Sequence, residues 1–198
     1  MKKLLLLLVC LFCGQLHAQT VLVVGDSLSA AYGIPAEQGW VQLLQQRLDQ
    51  QGQDHRVINA SISGDTTQGG LTRLPAALEQ FKPDVVIIEL GGNDGLRGIN
   101  LQSTRTNLAQ MIELAQQSGS QVLLLGMMLP PNFGKAFTEK FLGMYKELAD
   151  HYSLPLVPFF LDGVADRPEW MQADGIHPNS QGQPTMLENV WPMLEMLI

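Results

Sequence analysis

Cysteine is almost missing from this chain. The 198 residues include two, Cys10 and Cys13. Both fall in an N-terminal stretch that reads as a leader: Lys2 and Lys3, the apolar run Leu4 to Phe12, then Gln15-Leu-His-Ala18 with a cut expected after Ala18. Leu16 is larger than the residue usual three positions before such a cut. An uncleaved anchor is the alternative, but the apolar run is too short to span a bilayer. Neither cysteine has the small residues before it that a lipid attachment site needs. Residues 1–18 are therefore expected to be a signal peptide and 19–198 a single exported domain, periplasmic or secreted, with no stable membrane anchor. Without cysteine, the mature chain has no disulfide, no thiolate nucleophile and no cysteine metal ligand.

Positive charge is also scarce. Twelve Lys and Arg face 19 Asp and Glu, a formal charge of −7. Loss of Lys2 and Lys3 with the leader removes two positive charges and takes it to −9. Nucleic acid is excluded as a main partner, because its phosphates reward clustered Lys and Arg. Linkers, repeats and charge blocks are absent too, so nothing divides the chain after Ala18.

Apolar runs alternate with helical patterns. Val21 to Val24 is β-branched and apolar throughout, as a strand buried on both faces requires. Trp40 to Gln51 is a helix with Trp40, Leu44 and Leu48 on one face, stopped at Gly52. Arg56 to Asn59 is a second strand, followed by a turn-rich loop from Ala60 to Gly70. Leu71 to Phe81 is helical, with Pro75 in its first turn. Asp84 to Leu90 is the strongest strand and ends in Gly91-Gly-Asn-Asp-Gly95. Ser103 to Ser118 is a helix, Gln121 to Gly126 a strand, Met127 to Gly134 a loop and Ala136 to Tyr152 a helix. Leu154 to Val157 is a short edge strand, since proline cannot donate to a ladder. A helix from about Pro184 to Ile198 closes the chain. This alternation predicts a three-layer α/β/α sandwich around a five-stranded parallel sheet. All strands then release their loops at one edge, where such sheets bind ligands.

Ser27, Gly64, Asn93 and His177 all lie on those loops. A serine hydroxyl needs a base within hydrogen-bond reach, and the base needs an orienting group. Among the four histidines, only His177 has a turn-rich setting, three residues after Asp174. Asp174 can take the Nδ1 proton, leaving Nε2 to face Ser27. Acyl transfer also needs donors for an oxyanion. The Ser27 N–H, the Gly64 N–H and the Asn93 side-chain amide can supply them. Each residue has a plainer alternative: Ser27 as a helix cap, Asp174-x-x-His177 as a structural turn, Gly64 and Asn93 as turn residues. As a set, each at the end of a different strand, they point to nucleophilic catalysis. Asp26 and Asp94 are read as holding their loops through hydrogen bonds. Tyr32 and the glycosylation-like Asn59-Ala-Ser61 are assigned no role.

The blocks Gly25-Asp-Ser-Leu-Ser29, Gly64, Gly91-Gly-Asn-Asp94 and Asp174-Gly-Ile-His177 resemble the GDSL or SGNH hydrolase family, in its order and across the predicted mature chain. Asn59-Ala-Ser-Ile-Ser-Gly-Asp-Thr66 and Glu89-Leu-Gly-Gly-Asn-Asp-Gly-Leu-Arg97 look like its bacterial thioesterase I/lysophospholipase (arylesterase) branch. The resemblance implies a flavodoxin-like SGNH hydrolase fold, with Ser27 as nucleophile, His177 as base and Asp174 as its orienter. It implies an oxyanion hole from Ser27, Gly64 and Asn93, and no metal or organic cofactor. The expected partner is a small acyl ester or thioester, and a monomer is expected. Met128, Leu129, Pro130 and Ile176 are the expected acyl-binding wall, with Trp170 nearby, although Met127 and Met128 read equally well as core. A carbohydrate O-acetyl esterase and a non-catalytic small-ligand binding protein are the competing readings.

Overall fold

A computed structural model describes residues 18–198. The predicted leader, except Ala18, lies outside the described residues.

Five parallel strands form one sheet: β1 (Thr20–Gly25), β2 (Arg56–Asn59), β3 (Val85–Glu89), β4 (Gln121–Leu125) and β5 (Leu156–Val157), in the order β2-β1-β3-β4-β5. Its three central strands carry the apolar runs. Val21 to Val24 and Val85 to Ile88 have no solvent exposure. Burying each such side chain contributes about 2 kcal/mol, so these segments have little alternative to a position covered on both faces. Leu156–Val157 is the short edge strand that its proline predicts.

The helices are α1 (Trp40–Gln50), α2 (Thr67–Phe81), α3 (Gly92–Leu96), α4 (Leu101–Gln117), α5 (Lys135–Tyr152) and α6 (Gln183–Leu194). The chain steps from β1 outward to β2, then back past β1 to β3, β4 and β5. Right-handed crossovers therefore put α1 on one face and α2, α4 and α5 on the other. The packing agrees: α1 lies against α6, while α2 packs on α4 and α4 on α5. The reversal of direction between β1 and β3 is the switch point at which doubly wound sheets open a crevice.

Three sequence expectations need correction. The helix expected from Leu71 starts four residues earlier, at Thr67. Thr66 caps it by accepting the Gly69 N–H, and the Asp94 carboxylate takes the Thr67 N–H at 2.9 Å. Pro75 is consequently in the helix interior, not its first turn, where it cannot donate to the Leu71 carbonyl. Gly70 has to be glycine, at a cost in helix propensity, because a Cβ there would collide with Leu90 just past β3. Second, Gly92–Leu96, expected as a loop, is a short helix. Its preceding residue, Gly91, has φ +116°, and Ile99 N–H closes back on the Asp94 carbonyl at 2.9 Å. Third, the last helix ends at Leu194 rather than running to Ile198.

Candidate active site

Ser27 stands two residues beyond β1. Its Oγ is 2.9 Å from His177 Nε2, and His177 Nδ1 is 2.6 Å from Asp174 Oδ2. The three residues are thus joined in one chain of hydrogen bonds, although Ser27 and His177 are 150 positions apart. Asp174 closes a tight turn: its Oδ1 accepts the Ile176 N–H at 2.9 Å and the His177 N–H at 3.0 Å. Gly175, at φ +65°, supplies the left-handed residue that this turn requires. The His177 N–H and ring lower the Asp174 carboxyl from 3.8 to about 2, with the Ile176 N–H helping. The carboxylate therefore stays charged while the neighbouring ring gains or loses a proton.

The turn that carries Ser27 is held from behind by two buried acids. Asp26 Oδ1 accepts the Leu28 N–H at 3.1 Å, and Asp26 Oδ2 accepts Asn93 Nδ2 at 2.9 Å. Glu89, at the end of β3, takes the Asp26 N–H at 3.2 Å and the Ser29 hydroxyl at 2.7 Å on the same oxygen. Trp40 Nε1 donates to that hydroxyl at 3.2 Å. Gly25 is required here, because a Cβ would sit 2.6 Å from Glu89 Oε2. Burial raises Asp26 from 3.8 to about 6, against the opposing pull of the Leu28 and Asn93 hydrogen bonds. Burial, and then the nearby Asp26 charge, push Glu89 well above 4.5. Both effects favour the protonated form of Glu89.

The expected oxyanion donors lie just past the ends of β1, β2 and β3. Among the described hydrogen bonds, the N–H groups of Ser27 and Gly64 have no acceptor. Gly64 has φ +78°, which any Cβ would strain. Its carbonyl accepts Arg97 Nη2 at 2.8 Å. Asn93 lies in the first turn of α3, and its amide spends one hydrogen on Asp26, leaving the second free. Asp94 faces the other way, bonding Thr67 N–H at 2.9 Å, Thr67 Oγ1 at 2.5 Å and Thr104 Oγ1 at 3.3 Å. Asp26 and Asp94 thus hold loops, as the sequence reading has it.

Of the four expected wall residues, Met128, Pro130 and Ile176 present surface. Leu129 is buried against Gly95 and backs the wall rather than facing solvent. Met127 is core, while Met128 is exposed. Two further residues lie beside the site. The sequence assigns Tyr32 no role, and its ring lies 4.6 Å from the His177 ring. Its position five residues past Ser27, in the same turn, was the available signal. Gln172 Nε2 donates to Tyr32 O at 2.8 Å and Pro178 O at 3.1 Å, tying the serine turn to the histidine loop. No spacing or periodicity in the sequence marks it.

A serine bonded to an imidazole, itself bonded to a carboxylate, at the carboxyl edge of a doubly wound sheet defines a serine hydrolase. Comparison with known proteins agrees. The model of the GDSL-like lipase/acylhydrolase family matches residues 23–183, and the chain belongs to that family. It is 55 % identical over 188 residues to esterase TesA of Pseudomonas aeruginosa, covering 95 % of this chain and 94 % of that protein. It is 44 % identical over 193 residues to thioesterase 1/protease 1/lysophospholipase L1 of Escherichia coli, covering 98 % of this chain and 91 % of that one. The crystal structure of TesA superposes with a TM-score of 0.89 at 56 % identity, over 91 % of this chain and all of that one.

Proposed function

We propose that this protein hydrolyses carboxylic esters and thioesters of acyl chains through an acyl-enzyme, with Ser27 as nucleophile, His177 as general base and acid, and Asp174 as its orienter. The observation that carries the reading is the continuous hydrogen-bonded chain from Ser27 Oγ through His177 to Asp174. In the first half-reaction Ser27 Oγ bonds to the acyl carbon while its proton passes to His177 Nε2. The carbonyl oxygen becomes an oxyanion, which accepts hydrogen bonds from the Ser27 N–H, the Gly64 N–H and the free hydrogen of Asn93. Asp174 stays ionised and balances the imidazolium. His177 then gives its proton to the leaving alcohol or thiol. In the second half-reaction water gives a proton to Nε2 as its oxygen bonds to the acyl carbon; the acyl–Oγ bond then breaks, Nε2 returns the proton to Ser27 Oγ, and the acid leaves.

An acyl chain is favoured over a sugar acetate by the apolar character of the loops. Tyr32, Ile62, Leu96, Met128 and Ile176 are exposed large apolar residues on the loops that carry the proposed site. Tyr32 and Ile176 flank His177, Ile62 precedes Gly64, and Leu96 follows Asn93. Residues 1–18 act as an export signal in this reading and 19–198 as the exported enzyme. Outside the cytoplasm, lysophospholipids and exogenous esters are better physiological substrates than acyl-CoA. No helix among the described residues is long and apolar enough to cross a membrane.

Assay of p-nitrophenyl esters from acetyl to palmitoyl tests the reading. Ser27→Ala is expected to lose about 10,000-fold or more in kcat/KM. A fluorophosphonate probe should label the wild type and not the variant. A Ser27→Ala protein with wild-type rates would remove the mechanism, and a best rate on acetyl ester would favour the deacetylase.

A further inference from the structure

We infer that Arg73 is a positioning residue for the oxyanion hole, an inference that rests on the proposed function. Arg73 sits on α2, behind the catalytic edge, and its guanidinium grips three partners at once. Nε donates to Asp65 Oδ2 at 2.8 Å, Nη2 to the Gly25 carbonyl at 3.1 Å and Nη1 to the Ala60 carbonyl. Gly25 lies two residues before Ser27, and Asp65 directly follows Gly64. One side chain therefore joins the two loops whose backbone N–H groups are the proposed oxyanion donors. Both Arg73 and Asp65 are mostly buried, with side-chain exposures of 21 % and 11 %. A planar fork with five donors can hold three acceptors in fixed geometry, and a lysine ammonium cannot reproduce that.

The surroundings are shaped for this grip. Gly69 carries no side chain, and a Cβ there would collide with Asp65 Oδ1. The Gly25 carbonyl also accepts the Ile62 N–H at 3.1 Å, and Asp65 N–H returns to the Ile62 carbonyl at 3.0 Å. The same helix reaches the third donor. Thr67, in its first turn, holds Asp94, the neighbour of Asn93. Helix α2 thus references all three donors to one rigid element, and Arg73 supplies two of the three links. Arg73 lies outside the catalytic chain and acts through the loops. Transition-state stabilisation depends on donors 2.7–3.1 Å from the developing oxyanion, roughly, so a small loop shift is felt in kcat rather than in ground-state binding.

The experiment compares Arg73→Lys with wild type on p-nitrophenyl butyrate and with phenylboronic acid. That inhibitor forms a B–O bond with Ser27 Oγ as the serine proton moves to His177, and it places a tetrahedral oxygen where the oxyanion would sit. With fold checked by circular dichroism, kcat should fall about 10-fold or more while KM stays within about 2-fold, below the loss expected from deleting a donor outright. The boronate Ki should rise by the factor lost from kcat/KM. Arg73→Ala should fall further, and millimolar guanidinium should restore part of its kcat. An unchanged kcat in Arg73→Lys would overturn the inference, as would a rise in KM alone or a loss matching only the unfolded fraction. Should neither variant fold, Asp65→Asn carries the same test, and an unchanged kcat there overturns it. A wild type inert on every ester would instead sink the functional reading. Full wild-type turnover with equal Arg73→Lys turnover would sink this inference alone.

Discussion

Asp26→Asn should make the protein more stable at neutral pH and less active. Asp26 is 3 % exposed, and burial raises its carboxyl from 3.8 to about 6. Below pH 3.8 the group is protonated in both the folded and the unfolded chain and has no effect on the balance. Between 3.8 and about 6 the unfolded chain releases the proton while the folded chain keeps it, so stability falls as pH rises. Above that range the folded protein carries the full cost of a buried charge. At about 1.4 kcal/mol for each pH unit, this amounts to about 3 kcal/mol. Asparagine does not titrate, so the variant escapes the loss. It gives up one oxygen acceptor, since a single Oδ1 must serve both the Leu28 N–H and Asn93, at a cost of about 1 kcal/mol at any pH. Removing the charge also relieves Glu89, whose shift has the Asp26 charge as its second cause, and this acts in the same direction.

The expected result in urea unfolding is a crossover. At pH 3.5 the variant should be less stable by about 1 kcal/mol, and at pH 7.5 more stable by about 2 kcal/mol. The slope with pH is the informative quantity, because lost contacts do not change with pH. Activity should fall about 10-fold or more, since Asn93, the proposed oxyanion donor, loses the carboxylate that holds its amide. A stability difference that is flat between pH 3.5 and 7.5, or that falls as pH rises, would refute the reasoning.

Two further substitutions probe the frame. Gln172→Ala cuts the link from the serine turn to the histidine loop and should lower kcat/KM about 10-fold with a stability loss of about 1–2 kcal/mol; wild-type kinetics would show that the triad bonds alone hold the loops together. Gly91→Ala should destabilise by on the order of 3 kcal/mol in thermal or urea unfolding, because φ +116° is closed to alanine and its Cβ would displace the Tyr145 hydroxyl from the Leu90 carbonyl; a change below about 1 kcal/mol would mean that this corner relaxes freely.

The parts of the molecule that were legible in the sequence are those fixed by burial pattern or by a short turn. Val21 to Val24, and Val85 to Ile88 within Asp84 to Leu90, read as strands because a run with no polar member has nowhere to go but a sheet covered on both faces. Asp174-Gly-Ile-His177 was legible because a three-residue return from carboxylate to imidazole needs only a glycine turn. Helix α2 was misplaced because Thr67-Gln-Gly-Gly70 has poor helix propensity and its start is set from outside, by Asp94. Helix α3 was missed for the same reason: Gly91-Gly92 is the local signature of a turn, and the helix exists through its packing under α4. Glu89 was visible in principle, as a lone carboxylate ending an otherwise apolar strand. Gln172 and Arg73 were not, since each acts by bridging segments distant in sequence.

The buried acids are where local stability and the proposed chemistry pull apart. Glu89 has no solvent exposure, Oε1 is without a hydrogen-bond partner among the described residues, and its environment favours the protonated form. A glutamine could donate and accept at the same place without titrating. One carboxyl oxygen accepts both the Asp26 N–H and the Ser29 hydroxyl. Asp26 in turn gives one oxygen to its own turn and the other to Asn93. Each acid fixes the next, from Trp40 and Ser29 through Glu89 and Asp26 to the amide beside the serine. Two adjacent carboxyls with raised protonation range are a poor way to stabilise a strand end, and they lie under the turn that carries Ser27, whose N–H is a proposed oxyanion donor. Stability is therefore given up where the positions of Ser27 and Asn93 are set.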